Sequence, residues 1–188
     1  MADREELVSS KEVYRGPIFS VEQEEVRLAD GSLAQRDIVR HVPAVAILPL
    51  LDNDHIILER QWREPIHDFI LEIPAGKLDE RDSAEPLHAA KRELNEELRM
   101  TASHWALALT FYETVGFSDA KMLLYVASGL KKVPADKELS RDYGESLDLI
   151  TVSFGEMQAW LQSGRLQDQK TITAFLYWAS MRQSNGKD

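Results

Sequence analysis

The sequence predicts a mixed α/β (α+β) fold: a mixed central sheet with helices on both faces, preceded by an antiparallel β arm. Three observations predict it. The chain has 188 residues, enough for one sizeable core and too few for two ordinary domains with a linker. Strand-like runs and helical patterns are mixed along the body, in an order that suits a sheet covered on both sides. The first forty residues hold only short strands and turns, which cannot bury much by themselves and must pack on the main body or on a second copy of the chain.

The elements follow in order. Residues 13–21 are interrupted at Gly16-Pro17, and residues 23–28 lead into Asp30-Gly31, a pair that signals a hairpin between alternating segments. Residues 44–51 form an apolar run suited to a strand buried on both faces. Asp52-Asn53-Asp54 carries turn chemistry, and residues 55–59 return as a second strand. A short segment ending in Leu71-Glu72-Ile73 precedes the Pro74-Ala75-Gly76 turn and an acidic loop. From Glu85 to about Met100 the spacing is helical, and Pro86 suits the first turn of that helix. Strand-like runs come next at 105–112, 122–127 and 147–152, and amphipathic helical patterns at 154–162 and 171–181 end the series. In the last of these, Phe175 and Trp178 read as core.

Composition narrows the function. Hydrophobic residues at 44% and charged ones at 29% describe a globular chain. Acidic residues outnumber basic ones 32 to 22, a net charge of −10, which argues against a sleeve for nucleic acid. An anionic ligand is still compatible with this charge when a divalent cation stands between the two. The chain has no cysteine, which excludes disulfides, thiol catalysis and cysteine-ligated metal. With no apolar run of membrane-spanning length and a polar, acidic opening, the expectation is a soluble, cytoplasmic protein. The five histidines show no ligand spacing.

The predicted helix at 85–100 is the most informative segment. At about 100° per residue, Leu87, Ala90, Leu94 and Leu98 fall on one stripe that must face the core. Glu93 and Glu97, four apart, share a face bordering that stripe, while Glu96 is expected farther round towards solvent. Ionised carboxylates beside apolar surface are costly unless a cation sits between them. Three of them on one short helix suit a hard, oxygen-preferring ion such as Mg²⁺ or Mn²⁺. The competing reading is a solvated acidic face in which Arg92 and Glu96 form an ordinary pair four residues apart.

Residues 76–100 resemble the Nudix box: Gly, five residues, Glu, seven residues, then Arg-Glu-apolar-x-Glu-Glu-x-Gly-apolar. Arg92-Glu93-Leu94-x-Glu96-Glu97 matches the second half residue for residue. Asp82 occupies the first Glu slot, two extra residues lengthen the loop after it, and Arg99 stands in the Gly slot near the end. Val39-Arg40-His41, Ala44-Val45-Ala46, Arg60-Gln61-Trp62-Arg63, Leu71 to Gly76 and Asp168-Gln169-Lys170-Thr171 are similar to the ADP-ribose pyrophosphatase branch of that superfamily. The resemblance implies a Nudix α/β/α sandwich over residues 43–188 and a dimerising, substrate-contacting β arm over residues 1–42.

The same resemblance implies a chemistry: water attacks a nucleoside diphosphate sugar, ADP-ribose first among them, and yields a nucleoside monophosphate and a sugar phosphate. Glu93, Glu96, Glu97 and the Ala75 carbonyl would ligate Mg²⁺ (or Mn²⁺), and Arg92 would hold the carboxylates in place. The general base must come from outside the helix. Glu145, in a Gly-Glu pair before a strand, is the first choice, and Asp119, in the loop 114–120, the second. Arg63 stands where relatives contact the substrate phosphates; an ion pair with Glu72 or Glu64 is its alternative role. Glu72 would position Arg63 or a metal-bound water. Phe19, Arg36 and Arg40 belong to the arm, which in relatives crosses to a partner subunit and helps to hold the base, so a homodimer is expected. GDP-mannose or another sugar nucleotide is an alternative substrate. A non-catalytic module that binds a nucleotide sugar is an alternative function, although such modules usually lose the equivalents of Glu93 or Glu97.

Overall fold

The computed structural model describes residues 4–82 and 85–185; Ser83 and Ala84, in the lengthened loop, lie outside them. It divides into two compact units. The first comprises residues up to Pro43 with Phe111–Met122, and the second Ala44–Thr110 with the residues from Leu123 onward.

The first unit is built on β1 (Glu6–Arg15), β2 (Phe19–Arg27) and β3 (Leu33–His41), an antiparallel sheet in the order β1-β2-β3. The expected hairpin at Asp30-Gly31 joins β2 to β3. Gly31 takes φ 85°, a left-handed conformation that glycine adopts without strain, and Asp30 accepts from the Ser32 amide at 2.9 Å. Residues 111–122 attach to β3 through Val39, whose amide donates to the Phe117 carbonyl at 2.8 Å. Every residue of β1 is exposed.

The second unit has a mixed α+β architecture. β4 (Ala44–Pro49), β5 (His55–Arg63), β6 (Asp68–Glu72), β7 (Ala75–Lys77) and α1 (Pro86–Leu98) are followed by β8 (Met100–Tyr112) and β9 (Lys121–Lys132), of which residues 111–112 and 121–122 are counted with the first unit. β10 (Asp148–Ser153), α2 (Phe154–Gln162) and α3 (Gln169–Asn185) complete it. The strands form one sheet ordered β7-β4-β9-β8 and another ordered β10-β5-β6. The core sits under α1, where Ala89, Ala90, Leu94 and Leu98 pack on Val45 and Ile47 of β4 and on Tyr125 and Ala127 of β9. Val45 to Leu48 are fully buried, as an apolar central strand must be. On the other sheet, α3 lies against β6, and Phe175 and Trp178 close around Phe154 as the core reading expects. A capping box starts α2: Ser153 accepts from the Glu156 amide, and Glu156 from the Ser153 amide.

Residues 55–59 form a strand as expected, which continues to Arg63; apart from the isolated bridge Leu50↔Ile56, it pairs with β6 and β10. Both edges of β4 are already taken, by β7 and β9. No helix among the described residues is long and apolar enough to cross a membrane.

Candidate active site

The Pro74-Ala75-Gly76 segment meets α1 at Glu93 and Glu97. Ala75 and Gly76, which the sequence reads as a turn, are strand residues instead: they open β7, which pairs antiparallel with β4, Ala75 opposite Ala46 and Gly76 opposite Val45. The Ala75 amide donates to Glu97 Oε2 at 3.1 Å. Gly76 lies so close to Glu93 that a Cβ there would fall 1.8 Å from Glu93 Oε1, so the position has room for hydrogen only. Glu93 and Glu97 are both buried. Burial, outweighing the charge of Arg92, pushes the Glu93 carboxyl up to about 7. Burial, with the charges of Glu59 and Glu93 beside it, raises Glu97 well above the usual carboxylate range.

Glu96 departs from expectation. It is 4% exposed rather than turned to solvent. Arg92 Nη1, one turn earlier on the same helix, reaches it at 2.8 Å, and Arg81 Nη1 covers it from outside the helix at 3.4 Å. Arg92 is the hub of this face. Its Nε and Nη2 donate to the two oxygens of buried Asp82 at 3.0 and 3.1 Å, its Nη1 also to Glu93 at 2.7 Å, and its Nη2 to the Lys77 carbonyl at 3.2 Å. Burial works against the charge on Asp82, but the hydrogen bonds from Arg92 prevail and hold it below its ordinary value. A shorter Asp in place of Glu therefore still meets its arginine.

The facing surface of β5 and β6 carries a second ionic group. Arg63 Nε and Nη2 donate to Glu72 Oε1 and Oε2 at 2.5 and 2.8 Å. This is the ion pair that the sequence offered as an alternative role for Arg63. Lys170, buried at the start of α3, bonds Glu72 from the other side and reaches Asp168 at 3.1 Å. Burial opposes ionisation of Glu72, yet Arg63 and Lys170 together hold it below its usual value. Asp168 also accepts from the Thr171 amide and hydroxyl at 2.9 and 2.6 Å, and Thr171 Oγ1 accepts from the Ile73 amide at 2.9 Å. The first turn of α3 is thereby tied to the residue before Pro74.

Glu59, directly opposite Glu72 in the β5–β6 register, was not singled out by sequence reasoning. It is 1% exposed, and its Oε2 has no hydrogen-bond partner. The available signal was a lone acid at the end of the apolar run Ile56-Ile57-Leu58. Burial and the neighbouring Glu72 push it up to about 8.

Glu145 follows Gly144, whose φ of 87° forms the turn in which the Glu145 amide donates to the Asp142 carbonyl at 3.2 Å. Its carboxyl is partly buried and raised by that burial and by Asp142. Its charge bears on Glu59, Glu93 and Glu97.

The arm residues sit in the first unit with partners of their own. Arg40 binds Glu22 and Glu24 at 3.0 and 2.6 Å, and Asp119 at 3.3 Å. Asp119 also accepts from the His41 amide at 2.9 Å. Arg36 is paired with Glu5 at 2.6 Å. Phe19 is partly exposed beside Tyr14, their ring centroids 5.5 Å apart.

Comparison with known families decides the class. The model described as "NUDIX domain" matches residues 40–175, and that described as "Nucleoside diphosphate sugar hydrolase N-terminal domain" matches residues 5–39. The chain belongs to the Nudix family. A Nudix relative from Bacillus subtilis named ADP-ribose pyrophosphatase is 32% identical over 173 residues, covering 92% of this chain and 91% of its own. A second, from Mycobacterium tuberculosis and of the same name, is 37% identical over 129 residues, 68% of this chain and 61% of its own. A Bacillus methanolicus protein named methanol dehydrogenase activator is 32% identical over 173 residues, again 92% and 91% of the two chains. The Nudix α/β/α fold also matches a crystal structure titled as an ADP compounds hydrolase, with TM-score 0.86 and 21% identity over 98% of this chain and 97% of that one.

Nudix hydrolases generally depend on a divalent cation. The donor set here fits one: it consists of carboxylate oxygens and a backbone segment, with no sulfur, beside a glycine that admits Glu93 where a side chain would exclude it. The carboxylates are not gathered into a ready cage; no group of three or more acidic or histidine ligands converges among the described residues. Glu93 and Glu96 each accept from Arg92, and Glu97 accepts from the Ala75 amide.

Proposed function

We propose that this Nudix protein is a cytoplasmic, Mg²⁺-dependent hydrolase of nucleoside diphosphate sugars, with ADP-ribose its leading substrate and Mn²⁺ able to replace Mg²⁺. The observation that carries this reading is the row of buried carboxylates on α1, Glu93, Glu96 and Glu97, with Glu93 and Glu97 set against Ala75 and Gly76 at the start of β7. Relatives named ADP-ribose pyrophosphatase support the choice of substrate.

In this reading Glu93, Glu96, Glu97 and the Ala75 carbonyl would hold the cation. When bound, a divalent ion screens the diphosphate charge, polarises phosphorus and acidifies the attacking water. Arg92 keeps Asp82, Glu93 and Glu96 in register, so the carboxylates need little reorganisation. Arg63, its Nε and Nη2 held by Glu72, keeps Nη1 for a substrate phosphate. Glu145 takes the proton from water, since a carboxyl raised by burial is a better base than an ordinary one.

The test is incubation with a panel of nucleotide sugars and Mg²⁺, with products identified by mass and Glu97→Gln as control. AMP and ribose phosphate from ADP-ribose, lost at least about a hundredfold in the control, are expected. Binding of a nucleotide sugar without cleavage of any would make the chain a binding module instead. The arm completes the proposal. Leu7, Val8, Val13, Tyr14 and Leu33 are exposed on its sheet, and burying them requires a second copy. Sedimentation at micromolar concentration is therefore expected to give a homodimer, and a monomer would remove that part.

A further inference from the structure

Glu59 has a location and chemistry that the Nudix box does not explain. It lies on β5, on the surface shared with Glu72 and Arg63, because direct cross-strand partners and residues four apart along a strand point the same way. Its side chain is almost wholly buried, and Oε2 accepts no hydrogen bond. Lys170 and Arg63, the nearest basic side chains on that surface, spend their contacts on Glu72 and Asp168. Among the described residues no basic nitrogen comes within 4.0 Å of Glu59. A buried acid without a donor or counter-ion loses hydration and receives nothing in return. Glu59 stands opposite Glu72, three residues before the Ala75 amide that donates to Glu97, and of all neighbouring charges that of Glu59 bears most strongly on Glu97.

We propose that Glu59 is a further member of the cation site, its free Oε2 turned to the divalent ion from the strand side while Glu93 and Glu97 hold it from the helix side. This rests on the cation reading above and extends it to a residue outside the box. A cation there supplies the partner that Oε2 lacks. It also gives this chain one more negative charge at the site than α1 alone provides, so the ion is held more tightly.

Binding of Mn²⁺ to the full-length protein, read by loss of the free-ion EPR signal, tests this without turnover. Wild type, Glu59→Gln and Glu97→Gln are compared, with far-UV circular dichroism and elution volume as checks on folding. The expected result is that Glu97→Gln abolishes tight binding and Glu59→Gln raises the Mn²⁺ Kd about ten- to a hundredfold. Without metal, Glu59→Gln is expected to melt no lower than wild type, because it removes an uncompensated buried acid. A purely structural Glu59 predicts the reverse: a lower melting point without metal and unchanged Mn²⁺ affinity. Weak binding by Glu97→Gln alongside wild-type affinity in Glu59→Gln overturns the role of Glu59 and leaves the cation site standing. Failure of the wild type to take up Mn²⁺ overturns both. Should Glu59→Gln not fold, Glu59→Asp carries the test, since it keeps the charge and withdraws it by one methylene; wild-type affinity in that variant overturns the proposal.

Discussion

At Gly76 a single hydrogen atom decides where a carboxylate can stand. The Cβ of an alanine would fall 1.8 Å from Glu93 Oε1, and since the backbone there is paired with Val45, the carboxylate is the part that must move. Gly76→Ala is therefore expected to keep the fold and reduce kcat/KM at least about tenfold, the scale on which a displaced catalytic group is felt. Steady-state kinetics alongside circular dichroism checks this, and unchanged kinetics would show that Glu93 has room to spare. The base can be tested at the same scale. Asp119 already accepts from the His41 amide and Arg40, whereas the Glu145 carboxyl is raised by burial. Glu145→Gln is expected to slow turnover about a hundredfold or more and Asp119→Asn only slightly, as read from kcat; the opposite order would move the base to Asp119. Much of this residue chemistry was legible in the sequence, because spacing along one helix sets Glu93 and Glu97 on a common face. Glu96 was misread because a helical wheel counts only neighbours on its own helix. The covering guanidinium of Arg81 comes from the loop before it. Glu59 was missed because the partner it lacks is visible only when three strands and a helix are assembled.

Between elements, the decisive joint is the one from α3 to Ile73. Thr171 Oγ1 accepts from the Ile73 amide, and Asp168 fixes the hydroxyl. Thr171→Val keeps the volume but leaves a buried amide without an acceptor, a loss of about 1–3 kcal/mol in stability. The same change frees the segment that presents Ala75 and Gly76, so kcat is expected to fall as well. Urea unfolding and initial rates check the two effects, and loss of stability with unchanged kcat would make the joint merely structural. Sequence patterns located α1, α2 and α3, because stripe periodicity and Pro86 are local signals. They did not show which strand β5 would join, since a hydrophobic run carries no address. Nor did the Gly slot predict its own solution: Arg99 adopts φ 58° at the end of α1 and secures the left-handed turn through its amide, which donates to Asn95 at 3.0 Å, and through side-chain contact with the Leu139 carbonyl.

For the molecule as a whole, the buried acids make stability depend on pH in a direction unlike that of most proteins. Burial pushes the Glu93 and Glu59 carboxyls up to about 7 and about 8, and it raises Glu97 well above the ordinary range too. In the unfolded chain all three release their protons at about 4.3. Between those limits the folded state binds more protons than the unfolded one, so stability falls as pH rises from about 5 to about 8. Asp82 and Glu72, held low by Arg92 and by Arg63 with Lys170, act in the opposite sense: their contribution is present above about pH 4 and disappears in acid. The metal-free protein should therefore melt highest near pH 5 and progressively lower towards pH 8. A divalent cation binds the ionised carboxylates, so its stabilising effect should grow over the same interval and be small at pH 5. Melting curves at pH 5, 6.5 and 8, each with chelator and with excess Mg²⁺, measure both trends. A flat chelator profile would mean that Arg92 already balances these carboxylates, and an Mg²⁺ effect independent of pH would place the cation away from them.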